Sequence, residues 1–309
     1  MGSSLLKKGC DQLELVRKRL IHIHRCRGIT RRTTRKFIRY DSTLKSIYRL
    51  TASEISQFFS LPLNKASLFH SDLRNTTIKS RIRRDLKSVK VITAVDGMYP
   101  SVLKTIKDAP LVLYAIGNTN LLMQNPMLSV IGTRNPSHEA MSKLETYILP
   151  LIKNDWVIVS GMAAGIDSYA HELAVKHNGR TVAVLGSGFN HIYPKQNTQL
   201  FKQIAAKGLL LSEYPPDTPP ERFHFPERNR IISGLSFGTF VIEAAEKSGT
   251  LITVDQALDQ GREVYALPGS PLTPYAKGCH RMIQDGAKLV QDPVDILEDW
   301  DRIEPNWVI

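Results

Sequence analysis

The stretch "WVIVSGMAAGIDSYAHELAVKH", residues 156–177, reads as a strand, a glycine-spaced turn and a helix. "WVIV" is apolar at every position, which suits a strand covered on both faces; a half-exposed strand would alternate. Gly161 and Gly165 bracket the turn, where a missing side chain permits tight backbone paths. Strand, turn and helix in that order form the building unit of a parallel α/β sheet.

The unit recurs on both sides. "MLSVIG", "TVAVLG", "GLLLSE", "FGTFVIEAA" and "EVYALPG" alternate with helical stretches. Residues 121–309 are therefore expected to form a doubly wound, Rossmann-like α/β domain, with a mostly parallel sheet flanked by helices. Residues 1–90 carry a different period. "CDQLELVRKRLIHIH", "TRRTTRKFIRY", "TASEISQFF" and "NKASLFHSDLR" place apolar residues three and four apart between polar caps, so an all-helical domain is expected there. Residues 91–120 are expected to connect the two.

Charge divides at the same place. The 309-residue chain has a net charge of +12, yet residues 1–90 hold 22 Lys and Arg against 6 Asp and Glu, a balance of +16, and the remainder is slightly acidic. Such asymmetry fits a polyanionic partner, most often nucleic acid, and fits a merely solvated basic domain equally well. Within this part, "LIHIHRCRGITRRTTRKFI" has an apolar helix, a turn at Gly28 and a basic second helix. That pattern resembles a helix–hairpin–helix offering backbone N–H groups to a phosphate; an ordinary bundle turn with Gly28 ending a helix explains it as well.

Other classes are disfavoured. No apolar run reaches the roughly 18 to 20 residues that span a bilayer, and the N-terminus lacks a signal-peptide core, so a soluble cytoplasmic protein is expected. Cys10, Cys26 and Cys279 are odd in number and widely spaced, which signals neither a disulfide framework nor a zinc site. No metal or cofactor is expected.

In an open α/β sheet ligands bind beyond the carboxyl ends of the strands. Gly132-Thr133-Arg134 follows "MLSVI", Gly161 to Gly165 follows "WVIV", and Gly186-Ser187-Gly188 follows "TVAVL" with Lys195 beyond it in "IYPKQN". Three small-residue loops on one edge would make an anion platform, while tight turns or close strand–helix packing would need the same glycines. The dinucleotide fingerprint G-x-G-x-x-G and the Walker "GK[ST]" are both absent, so neither ligand class is expected. "FPERNRIISG", residues 225–234, places Arg228, Asn229 and Arg230 near an expected helix start, where cations are disfavoured unless an anion is present. With Arg134 they would supply the charge that glycine loops lack. Pairing of Arg228 and Arg230 with Glu221, Glu227 or Glu243 is the plain alternative.

Taken together, "GTR" at 132–134, "SGMAAGIDSYAHELAV" at 160–175, "GSGFNHIYPKQNTQL" at 186–200, "SEYPPDTPPERFHFPERNRIISGLS" at 212–236, "VIEAAEKSGTLITVDQALDQGREVYALPG" at 241–269 and "IQDGA" at 283–287 resemble, in order, the DNA-processing protein A (DprA/Smf) family. "VDGMYPSVLKTIKDAPLVLYAIGN" at 95–118 resembles the family's approach to its Rossmann-like domain. The resemblance implies a homodimeric single-stranded DNA-binding protein of natural transformation that loads the RecA recombinase while displacing single-strand-binding protein. It implies phosphate contacts from Arg134 and from Arg228, Asn229 and Arg230, with Phe225 beside them in the DNA-binding site and Lys195 added from its position and charge. The glycine loops, Gly132, Gly161, Gly165, Gly186 and Gly188, and Ser248-Gly249-Thr250 at the next helix start complete the expected site. The N-terminal domain resembles the family's sterile-alpha-motif-like or helix–hairpin–helix extensions.

Two departures stand out. "GCHRMIQDGA" replaces a turn that relatives commonly build otherwise, so Cys279, His280 and Arg281 are expected to alter local contacts, and the chain ends shortly after "VDILEDW", where some relatives carry a winged helix. A rival from another class is a Rossmann-like nucleoside phosphoribohydrolase, suggested by "GTFVIEAAEKSGT"; the double glycine expected before that motif is missing. Glu243 is accordingly expected to orient Arg228 or Ser248-Gly249-Thr250 and not to catalyse.

Overall fold

The computed structural model describes residues 2–307. The chain divides into two compact units, one of residues up to 99 together with 110–114, the other of 100–109 and 115 onward.

The first unit is mostly helical: α1 (Gly2–Arg25), α2 (Arg31–Tyr40), α3 (Ala52–Phe59), α4 (Leu63–Arg74) and α5 (Thr76–Ser88). Local chemistry sets the helix starts. Thr51 and Glu54 form a reciprocal capping box at α3, Thr30 accepts the Thr33 amide at α2, and Asn75 accepts the Thr77 amide at α5. Phe37 packs on Phe59 and Phe69, with ring centroids 4.5 and 5.3 Å away, and Leu20, Ile23 and Ile47 close the core. Strand β1 (Lys90–Thr93) and the start of β2 (Val112–Gly117) complete this unit, joined by the Ala94 amide donating to Leu111 O at 3.0 Å.

At the Gly28 turn one backbone amide is already engaged within the bundle. The Arg27 amide donates to Asp72 at 2.8 Å and the Arg27 guanidinium forks onto both oxygens of the same carboxylate. Gly28, at φ +81°, is needed for a close approach, since a Cβ there would lie 2.3 Å from Lys65 O. Asp72, buried under the turn, thus holds the Arg27 amide and guanidinium, which ties this turn into the bundle.

The second unit opens with α6 (Ser101–Lys104) and then alternates strand and helix: β3 (Met127–Ile131), α7 (Ala140–Tyr147), α8 (Leu149–Lys153), β4 (Val157–Ser160), α9 (Ile166–Lys176), β5 (Arg180–Leu185), α10 (Thr198–Lys207), β6 (Leu209–Ser212), α11 (His224–Leu235), β7 (Gly238–Val241), α12 (Thr250–Asp259), β8 (Glu263–Ala266), α13 (Lys277–Gln284), β9 (Lys288–Leu289) and α14 (Val294–Ile303). Its strands run in the order β6-β5-β4-β3-β7-β8-β9, every pairing parallel. All the apolar runs read from the sequence are strands. The chain builds outward from β3 to β6 and then returns to lay β7 on the other side of β3, which makes the β3/β7 boundary a topological switch point.

One aromatic cluster holds the back of this sheet. Phe237, entering β7, meets Trp300 at 5.2 Å and Trp156 at 5.5 Å, and Trp307 covers it at 6.4 Å. All three tryptophans of the chain therefore surround one phenylalanine, and tryptophan fluorescence reports this core. Cys26 and Cys279 are buried thiols without a disulfide; the Cys10 side chain lies outside the described residues. Among the described residues no helix is long and apolar enough to cross a membrane.

Phe237→Ala removes the ring on which the three indoles meet. Urea unfolding followed by fluorescence should show a loss of about 3–5 kcal/mol, in the range for emptying an aromatic core site.

Candidate nucleic-acid interface

The carboxyl ends of β5, β4, β3 and β7 lie side by side, so their following loops share one edge about 14 Å across three strand spacings. Close contacts weld these loops together. A Cβ on Gly165, itself at φ +83°, would lie 2.3 Å from Thr133 O, so the loop after β3 rides directly on the loop after β4. A Cβ on Gly161 would strike the Arg228 guanidinium at 2.5 Å, and one on Gly186 would strike the Phe225 ring at 2.8 Å. Phe225 in turn packs against Tyr193 at 5.2 Å, two residues before Lys195. A continuous ledge thus runs from Arg134 through Phe225 to Lys195.

The glycines serve packing more than anion approach. The Gly161 amide donates to Asp167 at 3.1 Å and the Gly188 amide to Thr218 O at 2.8 Å, so neither points at a ligand. Gly132 lies against Ile166 and Glu243 O, and Gly188 against Pro215 and Pro216 carbonyls, leaving no space on the side where a Cβ would project. Gly249 differs: nothing lies within 4 Å of its missing Cβ, and it starts α12, where Ser248 and Thr250 hydroxyls bond each other at 2.8 Å.

Arginines divide into two kinds. Arg134 is exposed on the ledge, as is Lys195. Arg228 and Arg230 are buried, 4% and 6% exposed, because α11 begins at His224 and carries them into its body, not at its start. Arg228 donates through Nη1 to Gly161 O at 2.5 Å and to Val184 O, bridging the ends of β4 and β5, and its Nε reaches Asn229 Oδ1 at 3.1 Å. Burial lowers its pKa to about 10, opposed by the charge of Asp167. Arg230 is ion-paired with Glu213 and, at 3.6 Å, with Asp108. Of the three acids anticipated for these arginines, Glu221 is exposed and the other two are engaged elsewhere. Glu227 accepts from Tyr214 at 3.0 Å, and Glu243 accepts from the Ser137 amide at 2.8 Å, the Ser137 hydroxyl at 2.5 Å and Lys143 at 2.7 Å.

Glu243 therefore does not orient Arg228 or the start of α12. It fastens the loop that carries Arg134, since its backbone oxygen also takes the Thr133 amide at 2.8 Å, so one residue holds both ends of 133–137. Its carboxylate is 1% exposed.

Asp167 and His171 lie beneath the ledge on α9, both buried. Burial raises the Asp167 pKa, opposed by Arg228. Burial lowers the His171 pKa to about 3, with the Arg228 charge adding to the effect, while Nδ1 meets the Thr181 hydroxyl at 2.6 Å.

Comparison with known proteins decides the assignment. The family described as DNA recombination-mediator protein A matches residues 90–301. This chain belongs to that family. It is similar to the DNA processing protein DprA of Bacillus subtilis, 46% identical over 213 residues, which cover 69% of this chain and 72% of the relative. The X-ray structure of DprA from Streptococcus pneumoniae superposes with a TM-score of 0.79 at 36% identity, covering 91% of this chain and 95% of that one. DprA from Helicobacter pylori, studied for its single-stranded DNA binding mode, gives a TM-score of 0.63 at 28% identity over 69% of this chain and 96% of that one.

The family match covers the whole ledge and the buried network under it. It also covers the departure at 279–281, which keeps ordinary helix contacts: Cys279 is buried on α13, His280 Nε2 meets the Gly269 backbone oxygen at 2.9 Å, and Arg281 pairs with Asp285. Sequence reading missed Tyr193 and, in the turn leading into α11 just ahead of Phe225, Arg222 and Phe223, all exposed, because an exposed side chain has no periodic signature. Tyr193 lay within the noted "IYPKQN" and was legible there as an aromatic beside a cation.

Two outcomes follow from the buried network. Arg228→Met strands the Asp167 carboxylate without its counter-charge and should cost about 3–5 kcal/mol in urea unfolding, whereas Arg134→Met, exposed, should stay within about 0.5 kcal/mol. On pH, the unfolded chain takes up a proton on His171 near 6.5 that the folded chain refuses until about 3. This contribution is therefore complete above pH 6.5 and weakens as pH falls, approaching tenfold in the folding equilibrium per pH unit. His171→Gln should flatten the acid side of the stability curve by one proton across that window, read by urea titrations at stepped pH.

Proposed function

We propose that the ledge from Arg134 to Lys195 holds single-stranded DNA by its backbone, and that the protein is a recombination mediator of natural transformation. In this reading it works in the cytoplasm as a homodimer, protects the incoming strand, displaces single-strand-binding protein and loads RecA recombinase. It is a binding protein and performs no turnover. The observation that carries the reading is the arrangement of exposed cations Arg134, Lys195 and Arg222 with the aromatic rings of Tyr193, Phe223 and Phe225 on the ligand-binding edge of a sheet. Cations that track phosphates beside rings that accept bases are the general solution for single strands. Family membership, and the single-stranded DNA binding mode studied in the Helicobacter pylori relative, support the same ligand.

Arg228 enters this reading as a positioning residue. Its guanidinium faces protein carbonyls, so it shapes the ledge without meeting a phosphate. Arg230, paired with Glu213 and Asp108, has the same standing. The phosphoribohydrolase alternative needs a carboxylate facing the edge, and Glu243 is instead committed to Ser137 and Lys143.

Fluorescence anisotropy with a labelled oligothymidylate, titrated with salt, tests the assignment. Arg134→Ala should weaken binding and reduce the log–log salt slope by about 0.7, the value for one lost single-strand phosphate contact. Arg228→Lys should weaken binding with the slope unchanged. Tyr193→Ala should cost about 1–3 kcal/mol with the slope likewise unchanged, as for loss of a stacking base. Wild-type affinity and slope in Arg134→Ala would remove the ledge from consideration, and release of base from a nucleoside monophosphate, abolished in Glu243→Gln, would replace the binding protein by the enzyme.

A further inference from the structure

The charge excess of the first unit has a definite address. Helix α5 has the sequence TTIKSRIRRDLKS, with five basic residues and a single acid. That acid, Asp85, is turned inward, 3% exposed, and meets the Arg25 guanidinium at 3.0 Å. Ile78 is buried on the same side. The one counter-charge the helix possesses is thereby withdrawn from its surface. Lys79, Arg83 and Lys87 recur every four residues, all exposed, at axial intervals of about 6 Å, the row running from the flank of the buried side at Lys79 to the side opposite it at Lys87. None of the three is ion-paired with an acid among the described residues.

Such a row works against its own helix. Like charges four residues apart repel, and the first turn of α5 holds no acid to offset them. The other basic helices are arranged differently. On α1, Arg17 pairs with Asp96 and Lys18 with Glu14; on α2, Lys36 donates to Phe59 O. Those cations are tied to partners within the unit and the exposed Arg32 and Arg39 of α2 stand seven residues apart, whereas on α5 the exposed cations form a row at four-residue intervals, left for an external anion. A linear series of flexible ammonium and guanidinium groups matches the repeating charge of a phosphate chain, and α5 carries no aromatic residue on which a base could stack.

We propose that the outer face of α5 is a second nucleic-acid surface, which grips the sugar–phosphate backbone of single-stranded DNA through Lys79, Arg83 and Lys87 without reading or stacking its bases. The polyanion's identity rests on the proposed function, while the surface itself rests on the charge arrangement of α5. Binding there is purely electrostatic, so it is insensitive to base composition and steeply sensitive to salt.

The test uses the full chain carrying Lys79→Gln, Arg83→Gln and Lys87→Gln together, with anisotropy of a labelled oligothymidylate followed across sodium chloride concentrations. The log–log slope should fall by about 2, three contacts at about 0.7 each, and the thermal midpoint should equal or exceed that of wild type because repelling charges are removed. If the triple variant does not fold, Lys79→Gln with Lys87→Gln should lower the slope by about 1.4. Arg134→Ala runs alongside. A slope lost in the α5 variant and kept in Arg134→Ala supports this surface and counts against the ledge; the reverse overturns this surface and leaves the ledge standing. Cosedimentation with phosphatidylserine vesicles covers the other anionic partner: vesicle binding lost in the triple variant with an unchanged DNA slope overturns the nucleic-acid assignment in favour of a membrane surface.

Discussion

The Arg228 guanidinium is the point on which the sheet edge depends. It leaves α11, passes the bare backbone of Gly161 and bonds to the carbonyls that end β4 and β5. Asp167 supplies the counter-charge from α9, which makes a fully buried cation tolerable at a strand end. One side chain thus joins two strands and two helices. Phe225, one turn earlier on α11, is seated on Gly186 by the same docking, so the aromatic surface of the ledge inherits its position from the buried arginine.

A second tether controls the cationic end. Glu243 holds the loop of Arg134 at both ends, through its carboxylate to Ser137 and its backbone oxygen to Thr133. Rigidity comes from these inner-layer bonds, and under the proposed function ligand contact falls to the side chains that project outward. The ledge therefore consists of two layers. Buried charges and glycines set the backbone; exposed Arg134, Lys195, Arg222 and the rings of Tyr193 and Phe223 face solvent. A single strand held by its backbone, as proposed, needs such a preorganised row, since each phosphate contact is weak on its own.

Much of this was legible beforehand. Parallel strands buried on both faces have to be apolar throughout, so "WVIV" and its counterparts announced the sheet, and the ordered motifs announced the family. Exposure was the part that sequence could not carry. Arg134 and Arg228 are the same residue type in neighbouring motifs, yet one faces solvent and the other faces Gly161 O and Val184 O. The expected helix start misled the reading, because α11 begins at His224 and runs through Pro226, which is compatible with a first turn. Glycines misled it similarly: space without a Cβ can admit a ligand or a neighbour, and at Gly161 and Gly186 the neighbour is the protein itself.

By itself the sequence determined the alternation of strand and helix, the all-helical basic part, the charge asymmetry and the family, because each depends on periodicity, composition or order along the chain. Tertiary structure alone decided which cations face outward, which acids pair with them, and that Asp85 leaves the surface of α5 while Lys79, Arg83 and Lys87 stay on it. The reason is physical: pairing and desolvation are set by distances between residues far apart in the chain, such as Arg228 and Gly161 or Ser137 and Glu243, and local pattern holds no record of those distances.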